Sequence, residues 1–202
     1  QNVSFSNNSP SSESNWMGIV TYKQEGEPIE IRYQQKMVDT HFLDTYDIPL
    51  IAGEKFPPGD TLSKAIINEV MVNRMGLSNP QDAIGRTLHL DQKGLTIIGV
   101  VKNFHVNSLH QKIDPTLLLI DPRYYQASIK LHQANLTAEN IEETLAHLQQ
   151  VWTSTFPEHI FSYQFLDQTL KEAYLKEIRT AQLVNMATGI AIFISCLCLL
   201  GL

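Results

Sequence analysis

The chain has 202 residues, 43% of them hydrophobic and 18% charged, with a net charge of −6 and a pI near 5.6. That length supports one large domain or two small ones around a real core, without disulfides or metals to hold it. The acidic balance and the lack of any Lys/Arg cluster exclude nucleic acid as a partner, since phosphate binding needs a basic stripe.

Residues 2–6 alternate like a strand, and the Ser/Asn-rich stretch 7–15 with Pro10 reads as a loop. Trp16 to Tyr22 and Glu30 to Met37 read as two strands joined by a turn over Gln24–Pro28, hence a hairpin. His41–Tyr46 is a short helical turn, and Ile48–Gly53 is extended and ends at a glycine. After the breaker Pro57-Pro58-Gly59, Ala65–Asn68 reads as a buried strand. Glu69–Met75 reads as a helix stopped by Gly76. Asp82–Gly85 is a turn, and Arg86–Leu90 and Leu95–Val101 form strands around Asp91–Gly94. Leu117–Ile120 and Ala127–Leu131 are further strands. Thr137 caps a helix that places Ile141, Leu145, Leu148, Trp152 and Phe156 on one face, which makes Trp152 a core residue. Phe161–Phe165 alternates again as a strand.

Asp167 is the candidate N-cap of a last, long helix. Leu170, Tyr174, Ile178 and Ala181 recur along it at helical spacing, and Glu172 and Lys176 stand four apart in the favourable order. Beyond Arg179 there is no charge and no proline. The run 180–202, if helical, is roughly 30–35 Å long at ~1.5 Å per residue, close to the hydrocarbon core of a bilayer. A buried core or dimer helix is the competing reading, but such a helix is usually shorter and shows a polar face. Gly189 and Gly201 suit close packing between membrane helices. A chain that starts at Gln1 and stops at Leu202 in the middle of this run reads as a piece of a longer membrane protein. The whole is therefore expected to be α+β with a β-rich middle, anchored by its last helix.

Chemistry is sparse. His105, His110 and Asp114 lie within ten residues, but zinc sites need better-defined spacing and more ligands. A polar loop explains them, and no metal is expected. Cys196 and Cys198, the only cysteines, sit two apart on a helix and point in different directions, so neither a disulfide nor a shared ligand site follows. With no cysteine in the soluble part, cytoplasm and periplasm both remain open. Ser108 and His110 are too close in sequence for a triad, and no Gly-x-Ser-x-Gly elbow exists. Glu25 and Glu27 flank Gly26 at a solvated hairpin tip. Asp44 and Asp47 beside Tyr46 are turn formers rather than an acid/base pair. No catalytic, cofactor-binding or metal-binding residue is assigned. Trp16, Tyr124 and Tyr125 are the candidates for a partner surface, because aromatics anchor interfaces.

Several stretches in order resemble one family. They are Phe42–Gly53, Ala65-Ile-Ile-Asn-Glu69, Ala83-Ile-Gly-Arg86, Ile97–His105, and Tyr163–Asp167 followed by Tyr174–Arg179 and the apolar run. Together they are similar to the MacB-like periplasmic core domain of FtsX-family ABC transporter permeases. The Lys102–His105 wording looks most like permeases of Bacteroidetes. The resemblance implies a domain between the first and second membrane helices of the permease, in two parts. A Porter-like α/β part would take 1–15 and 121–179, a Sabre-like β-rich insert 16–120, and a truncated transmembrane helix 180–202. It implies a bacterial inner-membrane protein with its soluble part in the periplasm, coupling cytoplasmic ATP hydrolysis to export or release of a substrate. Its implied partners are an ABC ATPase subunit or domain, a second permease copy or paralogue, a periplasmic adaptor or outer-membrane factor, and membrane lipid. No phosphate-cradling Gly-x-x-x-x-Gly-Lys-Ser/Thr loop is present, so the ATPase is expected on another chain or outside this one, and the domain is not an enzyme. The alternative is the sensor or ligand-binding domain of a membrane receptor.

Overall fold

A computed structural model of the chain describes residues 2–10, 16–23, 27–59, 63–91, 93–104, 112–131 and 137–201, without the side chains of Asn2, 169–170, 172–179 and Leu200. The residues fall into two compact units, Gln1–Ile141 and Glu142–Leu202.

The first unit holds nine strands: β1 (Asn2–Ser6), β2 (Trp16–Tyr22), β3 (Ile29–Val38), β4 (Leu50–Gly53), β5 (Lys64–Asn68), β6 (Thr87–Leu90), β7 (Lys93–Val101), β8 (Thr116–Ile120) and β9 (Gln126–Lys130). Helix α1 (Phe42–Thr45), helix α2 (Glu69–Arg74) and a 3₁₀ turn (Pro80–Ala83) interrupt them. Each expected strand up to residue 131 is present, with ends shifted by one or two residues.

Six of these strands close on themselves. β2 pairs with β3 from Trp16↔Gln35 to Tyr22↔Ile29, antiparallel, as the hairpin turn requires. β3 then pairs with β8 in parallel, β8 with β5 antiparallel, β5 with β7 in parallel and β7 with β6 antiparallel. β6 returns to β2 through Thr21↔His89 and Tyr22↔Leu88. Closure leaves none of the six with a free edge over its paired stretch. Period-2 alternation sends Val20, Tyr22, Ile31, Tyr33, Ile67, Leu88, Leu95, Ile97 and Leu117 into one core, joined by Met71 and Val72 of α2 and by Met75 at its C-cap. Gly18 makes room for Tyr33 there: a Cβ at Gly18 would stand 2.9 Å from the Tyr33 ring.

The opposite face of the same strands carries a second core. Val38, Ile66, Ile98, Val101 and Leu118 are covered by Phe42 and Leu43 of α1 and by Ile48 and Phe56. Gly53 ends β4 at φ +75°, where a Cβ would lie 2.1 Å from the Ile98 carbonyl oxygen. β1 and β9 pair antiparallel over all five of their residues. This pair joins the barrel strands in register at one position, Ser6↔Val38.

The second unit contains most of α3 (Ala138–Thr155), an extended segment, and α4 (Leu166–Leu200). Thr137 caps α3 as expected, its hydroxyl accepting the Asn140 amide at 3.3 Å. Three expectations are corrected here. Trp152 is not a core residue: it is 37% exposed, and its indole N–H donates to the His159 carbonyl. Residues 161–165 form no strand. Their alternation places Phe161, Tyr163 and Phe165 on one side, where the rings contact each other in turn at 5.9 and 5.6 Å, so the pattern is met by ring packing rather than a ladder. Asp167 is not the N-cap. Phe165 holds that position without a side-chain bond, and Asp167 lies in the first turn, where a carboxylate favours the helix dipole.

Candidate interaction surface

The stretch Ala65–Glu69 and the described part of the second, Ile97–Phe104, converge around the start of α2. Asn68 is fully buried and its Oδ1 accepts two amides, from Met71 and Thr116, each at 3.0 Å. Its Nδ2 donates to the Asp114 carbonyl at 2.9 Å. Glu69 accepts the Asn103 amide at 2.8 Å, and Asn103 Oδ1 accepts the Val70 amide at 3.1 Å. One Asn-Glu pair thus caps a helix and fixes the start of β8 and the end of β7. These bonds go to backbone groups, which makes the motif a folding device.

Of the metal candidates, His105 and His110 lie outside the described residues, as do Ser108 and Glu25. Asp114 accepts from Gln34 Nε2 at 2.7 Å. Among the described residues no group of three or more His, Cys, Asp or Glu converges. Asp44 pairs with Lys55 on the surface. Asp47 sits at φ +51° and pairs with Lys130, the conformation of a turn former. Tyr46 exchanges a 2.6 Å hydrogen bond with Ser128. Cys196 and Cys198 are free and exposed on α4.

Arg123 brings Trp16 beside the segment that carries Tyr124 and Tyr125. Arg123 lies 5.6 Å from the Trp16 ring centroid, and its guanidinium is held by both carboxylate oxygens of Asp121, at 2.9 and 2.7 Å. That hydrogen bonding holds the Asp121 carboxyl below its ordinary range, although burial pushes the other way. Phe5 contacts Tyr124 at 6.1 Å, and Tyr124 donates to the Val38 carbonyl at 3.4 Å. Trp16 is 49% exposed and Tyr125 74%. The result is an exposed aromatic patch with one guanidinium, suited to contact with another macromolecule. The residue sequence reasoning missed is Arg123, whose two-residue spacing from Asp121 was the available signal. The surface depression along α3, lined by Ala146, Gln149, Gln150, Thr153 and Ser154, offers no ionisable group.

α4 supplies the other surface. Thr180–Leu199 is 20 residues with mean hydropathy 1.9 and none of it buried, long and apolar enough to cross a membrane.

One solved structure shows the fold. The periplasmic region of MacB from Actinobacillus actinomycetemcomitans is similar at a TM-score of 0.52 and 12% identity, covering 77% of this chain and 67% of that one. The chain has the fold of the MacB periplasmic region. Two further structures are similar at TM-scores of 0.48 and 0.49. One is the extracellular domain of the noncanonical ABC-type transporter YknZ from Gram-positive bacteria, at 14% identity, covering 77% of this chain and 75% of that one. The other is a domain of a protein described as a permease from Porphyromonas gingivalis, at 17% identity, covering 83% and 80%. No family model and no curated protein matches the sequence. A MacB-like fold followed by an apolar helix of membrane-spanning length is consistent with a membrane-anchored domain.

Proposed function

We propose that the chain is the extracytoplasmic part of a bacterial ABC transporter permease, held in the inner membrane by 180–202, which couples cytoplasmic ATP hydrolysis to export or release of a substrate. The observation that carries this reading is the continuity of α4. Its 35 residues contain no proline and run without a break from Leu166 to Leu200. About 14 of them, or roughly 21 Å, precede the apolar span at ~1.5 Å per residue. A helix without a break is stiff enough to carry a displacement at one end to the other, so a motion in the membrane reaches the start of α4. The domain does no chemistry in this reading. Hydrolysis belongs to an ABC ATPase subunit or domain, and a second permease copy, an adaptor and lipid complete the assembly.

The subdivision into a Porter-like part (1–15 and 121–179) and a Sabre-like insert (16–120) belongs to the same proposal. The full-length β1/β9 pairing and its single in-register link to β3 support it, since that link is where a discontinuous part would meet its insert.

The test is purification of the full-length protein from its native membrane, with identification of co-purifying chains and an ATPase assay. Recovery of an ABC ATPase, separate or fused, with vanadate-sensitive turnover is the expected result. Recovery without ATPase or turnover overturns the coupling role and leaves a membrane-tethered sensor or binding domain on a MacB-like fold.

A further inference from the structure

Lys36 stands in the middle of β3 and is fully buried, 0% exposed. Alternation puts it on the outer barrel face with Gln34 and Val38, across from Leu118 of β8. Its Nζ donates to one described acceptor, the Ser9 carbonyl at 2.6 Å. Ser9 belongs to a strap, Asn7–Pro10, that leaves β1 and crosses β3. The strap is also fixed at Asn7, whose amide donates to the Met37 carbonyl and whose Oδ1 accepts the Met37 amide, both at 3.0 Å.

A buried ammonium needs a counter-charge or several acceptors. Among the described residues, the carboxylates nearest in the chain and on the packed elements are engaged elsewhere; Asp121, just after β8, is held by Arg123. Asp114, before β8, accepts from Gln34. Asp39, just after β3, accepts from the Ser4 hydroxyl and the Phe5 and His41 amides. On the facing elements Thr116, Leu118 and Ser9 carry no charge, and Arg32 on the same strand is exposed. Gln34 Oε1, two residues away on the same face, is buried with no partner among the described residues. Among the described residues Lys36 has one neutral acceptor and no counter-charge, an environment that favours the neutral amine. Burial alone pushes the Lys36 amine down to about 7.

We propose that Lys36 is a proton-operated latch: its neutral amine holds the Ser9 carbonyl and closes the strap, and its protonation releases the strap from β3. The idea goes beyond the transport reading and does not depend on it. Release frees the junction where β1 and β9 meet the barrel. In the open state Lys36 reaches water and regains an ordinary lysine affinity for protons. The open form therefore binds the proton more tightly than the closed form between pH ~7 and ~10. Over that window opening grows about tenfold for each unit of falling pH, and it levels off below pH ~7, where both forms are charged.

The experiment is hydrogen exchange read by mass spectrometry on the full chain in detergent, wild type against Lys36→Met, at pH 7, 8 and 9 with times corrected for intrinsic exchange. Wild-type peptides covering 4–10 should lose protection about tenfold per unit from pH 9 to pH 7. Lys36→Met should stay protected at every pH. Equal slopes in the two proteins, or a flat wild type, overturn the latch. Should Lys36→Met not fold, competitive acetylation of the wild type across pH replaces it. Lys36 reacting with a midpoint near 7 supports the latch, and a midpoint near the ordinary lysine value of ~10 sinks it.

Discussion

The barrel and the C-terminal unit use similar side chains in opposite ways. In the barrel, Ile66 and Ile67 are adjacent and both fully buried, one in each core. In α4, Ile190, Ile192 and Ile194 are each more than half exposed. No described residue of the second unit is buried. The barrel thus carries its own solvent-free interior, while α4 needs a solvent that accepts apolar surface on all sides. Apolar content alone does not distinguish these cases; the period and length of the apolar run do.

The comparison is sharpest if each region is damaged in its own currency. Ile67→Ala should cost about 2–5 kcal/mol in denaturant unfolding of the barrel, because the closed ring leaves little room to collapse around the cavity. Membrane partition should not change. Ile190→Lys should do the reverse. A charge at the centre of a spanning helix costs about 2.5–3.5 kcal/mol of insertion, read as loss from the carbonate-resistant membrane fraction. The barrel's unfolding midpoint should stay where it was. A barrel midpoint that falls with Ile190→Lys would show that the two units are not independent.

A smaller effect separates a folding motif from an interaction site. Asn68→Ala leaves the buried amides of Met71 and Thr116 without an acceptor and should cost about 2 kcal/mol of barrel stability. Tyr125→Ala, on a ring 74% exposed, should leave stability unchanged and act only on partner recovery.

Sequence pattern made the local elements legible because each rests on a local cause: alternation for β2 and β3, Gly76 after α2, Thr137 before α3. Closure of the barrel was not legible, because it depends on two parallel pairings, β3 with β8 and β5 with β7, that join residues about 30 or 80 apart with no local signature. Lys36 was hidden for a related reason. A lysine in an alternating strand reads as solvent-facing, and only tertiary packing makes it buried. The alternation at 161–165 misled in the other direction, since rings packed one against the next along one side produce the same period as a ladder. The aromatic patch was half legible: Trp16 and Tyr125 stood out by type, but nothing local brought residue 123 to residue 16.

The finest test compares two ion pairs of like chemistry, one in each unit. Asp121 in the barrel unit is nearly enclosed and bidentate with Arg123, whereas Asp167 and Lys171 in α4 meet at 3.4 Å with both side chains more than two-thirds exposed. The Asp121 carboxyl is depressed in the folded state, so its contribution is present above the unfolded aspartate value and is lost as pH falls through the lower folded one. Arg123→Met removes the bond that depresses it and leaves the burial that raises it. The variant should therefore begin to unfold at higher pH than the wild type on acid titration. Lys171→Met should leave the acid transition unmoved, since water already solvates both partners and salt screens the pair. Equal displacement by both variants would mean that the acid transition reports net charge, and the enclosed pair would then hold no advantage over the exposed one.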